Sequence, residues 1–123
     1  MTGKKILVAD DDPAIRMLLD HGLTSDGISV TTVPNEKEAI AELNNINYDA
    51  VLTDLCMPVN DAGIKVLEEC RRLGQPSVRY IASGTWSNES RENAEAVGAT
   101  KIIAKPYHLS ELTEMLKRDL GYQ

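Results

Sequence analysis

Lys5-Ile6-Leu7-Val8-Ala9-Asp10-Asp11-Asp12-Pro13 is a short apolar run that empties into three consecutive aspartates and a proline. The run Lys5–Ala9 has the length and branching of a buried strand. Asp12-Pro13 is a preferred helix start, a capping side chain followed by proline in the first turn. Ile15, Leu18, Leu19 and Leu23 then fall on one stripe at helical spacing. A strand that passes through acids into a helix is the opening of a βαβ unit.

Working outward, four more apolar runs follow at Ser29–Val33, Asp49–Thr53, Val78–Ala82 and Thr100–Ala104, each separated from the next by helical periodicity. That alternation predicts an α/β domain with a parallel sheet covered by helices on both faces, a three-layer doubly wound architecture. The first, third and fourth runs read as buried on both faces, and the second alternates as an edge strand does. Asn35 with Glu38 resembles a capping box for a second helix, with Ala39, Ile40 and Leu43 inward. Asp61 can cap a third, carrying Ile64, Leu67 and Cys70 and stopping near Gly74-Gln75-Pro76. The fourth, about Asn88 to Val97, is polar, with only Ala94, Ala96 and Val97 available to pack, so it is expected to be the least firmly held. The fifth uses Leu109, Leu112, Leu116 and Leu120 and stops at Gly121. No repeat, linker or low-complexity tract interrupts the 123 residues, which read as a single domain over 1–123.

Composition narrows the function. Hydrophobic residues make up 42% of the chain, which excludes a disordered one. Nineteen acidic against thirteen basic residues give a formal charge of −6, so neither direct nucleic-acid binding nor attraction to an anionic membrane is expected. The apolar runs fall far short of the roughly 18 residues a membrane span needs. The start, Met1-Thr2-Gly3-Lys4-Lys5, lacks the long apolar core of a secretory signal, and a cytoplasmic location is expected. Cys56 and Cys70 read as reduced thiols in that compartment.

Ligands of open α/β sheets bind beyond the carboxyl ends of the strands. There the first strand offers Asp10, Asp11 and Asp12, the third Asp54, the fourth Ser83 and the fifth Lys105, while the second ends in Val33-Pro34 and offers nothing. A lone Asp after a strand is usually a cap or turn former, and Asp12 reads as that. Asp10, Asp11 and Asp54 differ because folding would gather three carboxylates whose repulsion a cation must relieve. A hard divalent ion is the natural partner, and magnesium, with manganese as a substitute, suits carboxylates, waters and a phosphate oxygen. Lys105 adds a point charge and Ser83 a hydroxyl donor for a phosphoryl group under in-line attack by a carboxylate.

These pieces together resemble the receiver domain of two-component response regulators. The matching stretches are Ile6-Leu7-Val8-Ala9-Asp10-Asp11-Asp12-Pro13, Asp54-Leu55-Cys56-Met57-Pro58, Ile81-Ala82-Ser83-Gly84, Gly98-Ala99 and Lys105-Pro106, with separations of 44, 29 and 22 residues between Asp10, Asp54, Ser83 and Lys105. The resemblance implies a flavodoxin-like five-stranded sheet of order 2-1-3-4-5. It implies Asp54 as phosphoacceptor from a sensor histidine kinase or histidine phosphotransfer protein, in a switch that then acts on a downstream protein target. It further implies magnesium held directly by Asp11, Asp54 and the Cys56 backbone carbonyl and by Asp10 through water, with Ser83 and Lys105 gripping the phosphoryl oxygens. A cis Lys105-Pro106 bond and a homodimer through the fourth helix, fifth strand and fifth helix also belong to the family pattern. Such a protein catalyses only its own phosphorylation and dephosphorylation and is not otherwise an enzyme.

Two departures stand out. The position three before the lysine, usually aromatic in receivers, is Ile102, so signal transfer must use Ser83, the loop Gly84-Thr85-Trp86-Ser87 and the fourth helix. The loop Met57-Pro58-Val59-Asn60-Asp61-Ala62-Gly63 is one residue longer than usual. Cys56 and Thr85 read equally as loop fillers or as gates on hydrolytic water. Trp86 reads as packing against the fourth helix before it reads as a lid, Tyr107 as packing at the base of the last helix, and His21 and His108 as solvated or structural. Two alternatives remain beside the switch. One is a docking module of this fold that is never phosphorylated; the other is a haloacid-dehalogenase-type magnesium phosphatase with Asp10 as nucleophile and Asp12 as general acid, which leaves Asp54 unexplained.

Overall fold

The computed structural model describes residues 3–57 and 59–122. Five strands alternate with five helices: β1 (Lys5–Ala9), α1 (Pro13–Ser25), β2 (Ser29–Val33), α2 (Glu36–Asn45), β3 (Ala50–Asp54), α3 (Ala62–Leu73), β4 (Val78–Ser83), α4 (Asn88–Ala96), β5 (Lys101–Ala104) and α5 (Leu109–Asp119). All pairings are parallel and the order is β2-β1-β3-β4-β5, as the family resemblance implied. The chain therefore reverses its direction of winding between β1 and β3, and the crevice outside their carboxyl ends is the place for a ligand.

Successive strand residues point to opposite faces, so each face has its own core. Leu7, Ala9, Val51 and Ile81 face a cluster closed by Ala39 and Leu43 of α2, Val66, Leu67 and Cys70 of α3 and Ala94 of α4. Ile6, Val8, Ala50, Leu52 and Tyr80 face the other, closed by Leu19 and Leu23 of α1 and Leu112 and Leu116 of α5. Each fully buried Leu or Ile contributes roughly 1.5–3 kcal/mol. These two layers lock the strand register that sets the ends of β1, β3, β4 and β5. Strand β2 buries only Val33, consistent with an edge.

The helix ends follow local chemistry. The Asp12 side chain accepts from the Ala14 N–H and Pro13 opens α1. Asn35 accepts from the Glu38 N–H at 2.8 Å and its amide donates to the Glu38 carboxylate at 3.0 Å, so the reciprocal bond is made between side chains. Asp61 occupies the cap position of α3 but makes no cap hydrogen bond, because its φ of 66° turns the backbone left-handed. Gly74 ends that helix at φ 74°. Helix α4 carries a full capping box between Ser87 and Ser90 that the apolar pattern did not signal.

Two inward assignments need correction. Leu18 is 52% exposed rather than inward, since the sheet covers only the Leu19–Leu23 side of α1. Ala96 is exposed, and only Ala94 within α4 is buried, with Val97 just beyond it. The Lys105-Pro106 bond is cis, and so is Gln75-Pro76.

Candidate functional site

Strands β3 and β4 each run one residue further than the apolar pattern predicts, so Asp54 and Ser83 are the last residues of their strands. Asp54 stays in register with Ala82, and Ser83 with Ala104. Asp10 follows β1 directly, and Lys105 follows β5. All four groups thus stand on rigid strand ends along one rim, as the sequence reading placed them.

The rim is a close cluster. One carboxylate oxygen from each of Asp10, Asp11 and Asp54 lies within 4.8 Å of the other two. The Lys105 ammonium donates to Asp54 Oδ1 at 2.8 Å and to Asp10 Oδ2 at 3.1 Å. Asp10 is buried, and its position is fixed on every side. Its N–H donates to the Val33 carbonyl, its Oδ1 accepts from the Asp12 N–H, and its carbonyl accepts from Arg16 Nη1 at 2.7 Å. Asp11 is exposed at the mouth.

Three carboxylates against one ammonium leave an excess of negative charge in a half-buried place. Burial pushes the Asp54 carboxyl up to about 6, with the Asp10 and Asp11 charges adding to the rise and the Lys105 hydrogen bond opposing it. Burial alone would lower the Lys105 ammonium, but its bonds to Asp54 and Asp10 outweigh that and hold it above its usual value. Asp54 holds its proton more tightly chiefly through burial and Lys105 through its two carboxylate partners, and the net field around both is negative. A divalent cation with hard oxygen ligands relieves that field, so the donor set fits magnesium.

The β3–α3 loop is held under Asp54 by Gly63. Its N–H donates to the Leu55 carbonyl at 2.8 Å, and a Cβ there would lie 2.2 Å from the Asp54 carbonyl oxygen. Further along, the Met57 and Ala62 N–H groups both donate to the Val59 carbonyl, and Pro58 lies outside the described residues. The Cys56 thiol donates to Asn60 Oδ1 at 3.5 Å. Both cysteines are free thiols, as expected. Trp86 packs against the α2–α3–α4 core with Arg91 of α4 over its ring, which is the packing role read from the sequence. Tyr107 packs against the α1–α5 core, and His21 and His108 are exposed.

Sequence reasoning missed Arg16 and Gly63 as supports of the site. No pattern flags Arg16, which reaches back six residues to a main-chain carbonyl, whereas a glycine just inside a helix start hints at close backbone approach.

The doubly wound sheet thus presents an acidic trio, a serine and a lysine at the carboxyl ends of its strands. Residues 6–117 match the family model of the response regulator receiver domain, and the chain belongs to that family. It is 33% identical over 122 residues to the transcriptional regulatory protein TcrA of Mycobacterium tuberculosis, covering 95% of this chain and 46% of that protein. It is 35% identical over 114 residues to the transcriptional regulatory protein ResD of Bacillus subtilis, covering 92% and 46%. The chain thus spans about half the length of the curated relatives it matches. Among solved structures, a CheY-like receiver domain protein of Methanospirillum hungatei superposes with a TM-score of 0.91 at 27% identity over 98% of this chain and 95% of that one. The receiver domain of the sensor histidine kinase PA1611 from Pseudomonas aeruginosa, solved with a magnesium ion in its active-site cleft, gives 0.84 at 29% over 98% and 99%. The family is a phosphorylation-based signalling switch. Among the described residues no helix is long and apolar enough to cross a membrane.

Proposed function

We propose that Asp54 is the phosphoacceptor of a two-component phosphorelay switch. The observation that carries this reading is the Asp54 carboxylate, half-buried at the end of β3 between two other carboxylates and the Lys105 ammonium. At neutral pH a group titrating near 6 is mostly ionised and is a competent nucleophile. One Asp54 oxygen attacks the phosphorus of a phosphohistidine in line, the P–N bond breaks, and the imidazole leaves with that electron pair. Lys105 neutralises charge gathering on the transferred oxygens, and the Ser83 hydroxyl donates to one of them. Asp11, Asp54 and the Cys56 carbonyl would hold magnesium, or manganese, directly, with Asp10 acting through water; the ion supplies further charge neutralisation on the phosphoryl oxygens.

A histidine kinase or phosphotransfer protein is the donor in this reading. The exposed Met17 and Leu18 on α1, beside the rim, support an apolar contact with such a partner. The phosphorylated form acts by binding a downstream protein. Incubation with magnesium and acetyl phosphate, followed by intact mass, tests the reading. One added phosphoryl group that is lost in Asp54→Asn supports it, whereas labelling on Asp10 would move the chemistry to a phosphatase and refute it.

A further inference from the structure

Trp86 does more than fill space. Its indole N–H donates to the Ile103 carbonyl at 2.8 Å, which ties the β4–α4 loop to β5. Two residues beyond Ile103, the Lys105 backbone N–H donates to the Ser83 carbonyl at 2.8 Å, so loop and strand are joined beside both phosphoryl-gripping residues. The Ser83 hydroxyl is itself committed to this loop. It accepts from the Thr85 N–H and donates to the Thr85 carbonyl, each at 3.1 Å.

A hydroxyl has one hydrogen to give. While that hydrogen is on the Thr85 carbonyl, it is not available to an oxygen of a phosphoryl group on Asp54. The Thr85 carbonyl shares one rigid peptide plane with the Trp86 nitrogen. When that carbonyl loses its donor and turns, the Trp86 backbone turns with it, and the indole bond to β5 is the contact that resists. A cavity of about 430 Å³ lined by Leu55, Cys56, Thr85, Trp86 and Ser90 lies alongside and gives the loop space to move.

We propose that Trp86 is a positioning residue for Ser83: its indole latches the 84–87 loop onto β5 and holds the Ser83 hydroxyl on Thr85 until phosphorylation of Asp54 releases both bonds. The latch rests on the reading of Asp54 as acceptor and Ser83 as phosphoryl ligand. It gives this chain a route from the site to the α4–β5 surface that needs no aromatic ring at Ile102.

Trp86→Phe keeps an aromatic ring on the core while it removes the N–H donor along with part of the indole's bulk. In saturating magnesium, its affinity for beryllofluoride, a phosphoryl mimic, should rise about two- to tenfold by calorimetry, the worth of one net hydrogen bond restraining the unbound state. That gain should vanish in a Ser83→Ala background. In the otherwise unaltered protein, beryllofluoride should shift Trp86 emission beyond any change magnesium causes, and Ser83→Ala should abolish the shift while still binding the mimic. An unchanged or weaker affinity in folded Trp86→Phe, or an emission shift that survives Ser83→Ala, would overturn the latch. If Trp86→Phe does not fold, the emission arm alone decides. Absence of any beryllofluoride binding in the unaltered protein would instead overturn the phosphoacceptor reading on which the latch stands.

Discussion

Lys105 and Asp54 meet in a 2.8 Å ion pair built from the ends of two strands that are not neighbours in the sheet. The same ammonium also reaches Asp10, so one cation is shared by two of the three carboxylates. In the proposed reaction it therefore both supports the phosphoryl group and competes with the divalent ion.

Those two roles have opposite signs in Lys105→Met. Removing the ammonium removes its repulsion of a bound cation, so magnesium affinity should rise severalfold by Trp86 fluorescence titration. Phosphorylation from acetyl phosphate should nevertheless slow by about a hundredfold, because a charge aimed at the transferred oxygens is gone. Equal losses in both would contradict the assignment.

The raised Asp54 carboxyl makes metal-free stability depend on pH in a stated direction. Its folded value of about 6 lies above its ordinary 3.8, so the folded state binds this proton more tightly than the unfolded one. The favourable contribution is complete below about 4 and is lost as pH rises through 6. Asp54→Asn should therefore be more stable than the unaltered protein at pH 8 in EDTA, by about 2 kcal/mol, and the gap should close toward pH 4. Urea unfolding at several pH values checks this. Magnesium should narrow the gap at pH 8, because it binds the chain that retains all three carboxylates more tightly.

Gly63→Ala should damage the site from outside it. A Cβ placed 2.2 Å from the Asp54 carbonyl oxygen and 3.0 Å from Leu55 Cα forces the β3–α3 loop and α3 apart. A stability loss of about 1–3 kcal/mol is expected, with slowed phosphorylation, measured by thermal melting and intact mass. An alanine tolerated without either change would mean that the loop can relocate without disturbing the acceptor.

Helix α4 should open before the sheet does. It buries only Ala94 from within its span, while β1 and β3 are almost wholly buried. Its C-terminal end is held from α3 by Arg71, which donates to the Ala96 carbonyl at 2.8 Å. Amide exchange in α4 should be faster than in β1 or β3, and Arg71→Met should quicken it further without affecting the strands.

Much of this molecule could be read before it was seen. Alternating apolar runs located five strands and five helices, and the acids, serine and lysine fell on the expected ends because strand ends are where a doubly wound sheet gathers its polar groups. What escaped depends on geometry that spacing does not carry. Leu18 has the right period for the inward stripe of α1, but only the Leu19 and Leu23 side of that helix is buried. Asp61 is the right residue type for a cap, but its left-handed backbone aims it elsewhere. Arg16 supports Asp10 through a main-chain carbonyl, which leaves no trace in the pattern of side chains. The indole N–H of Trp86 needed some partner once packed, yet only the folded chain shows that the partner is β5.

Every chemical group of the rim rides on a strand's carboxyl end, and the returning turns, among them those at Gly27, Gly74 and Gly98, lie at the other pole of the sheet. The molecule is thereby divided into a reactive pole and a silent one. Added residues, a fluorophore or a fused module at the silent pole would leave the acidic cluster and Lys105 undisturbed, which makes that pole the natural place to tether the protein for measurement.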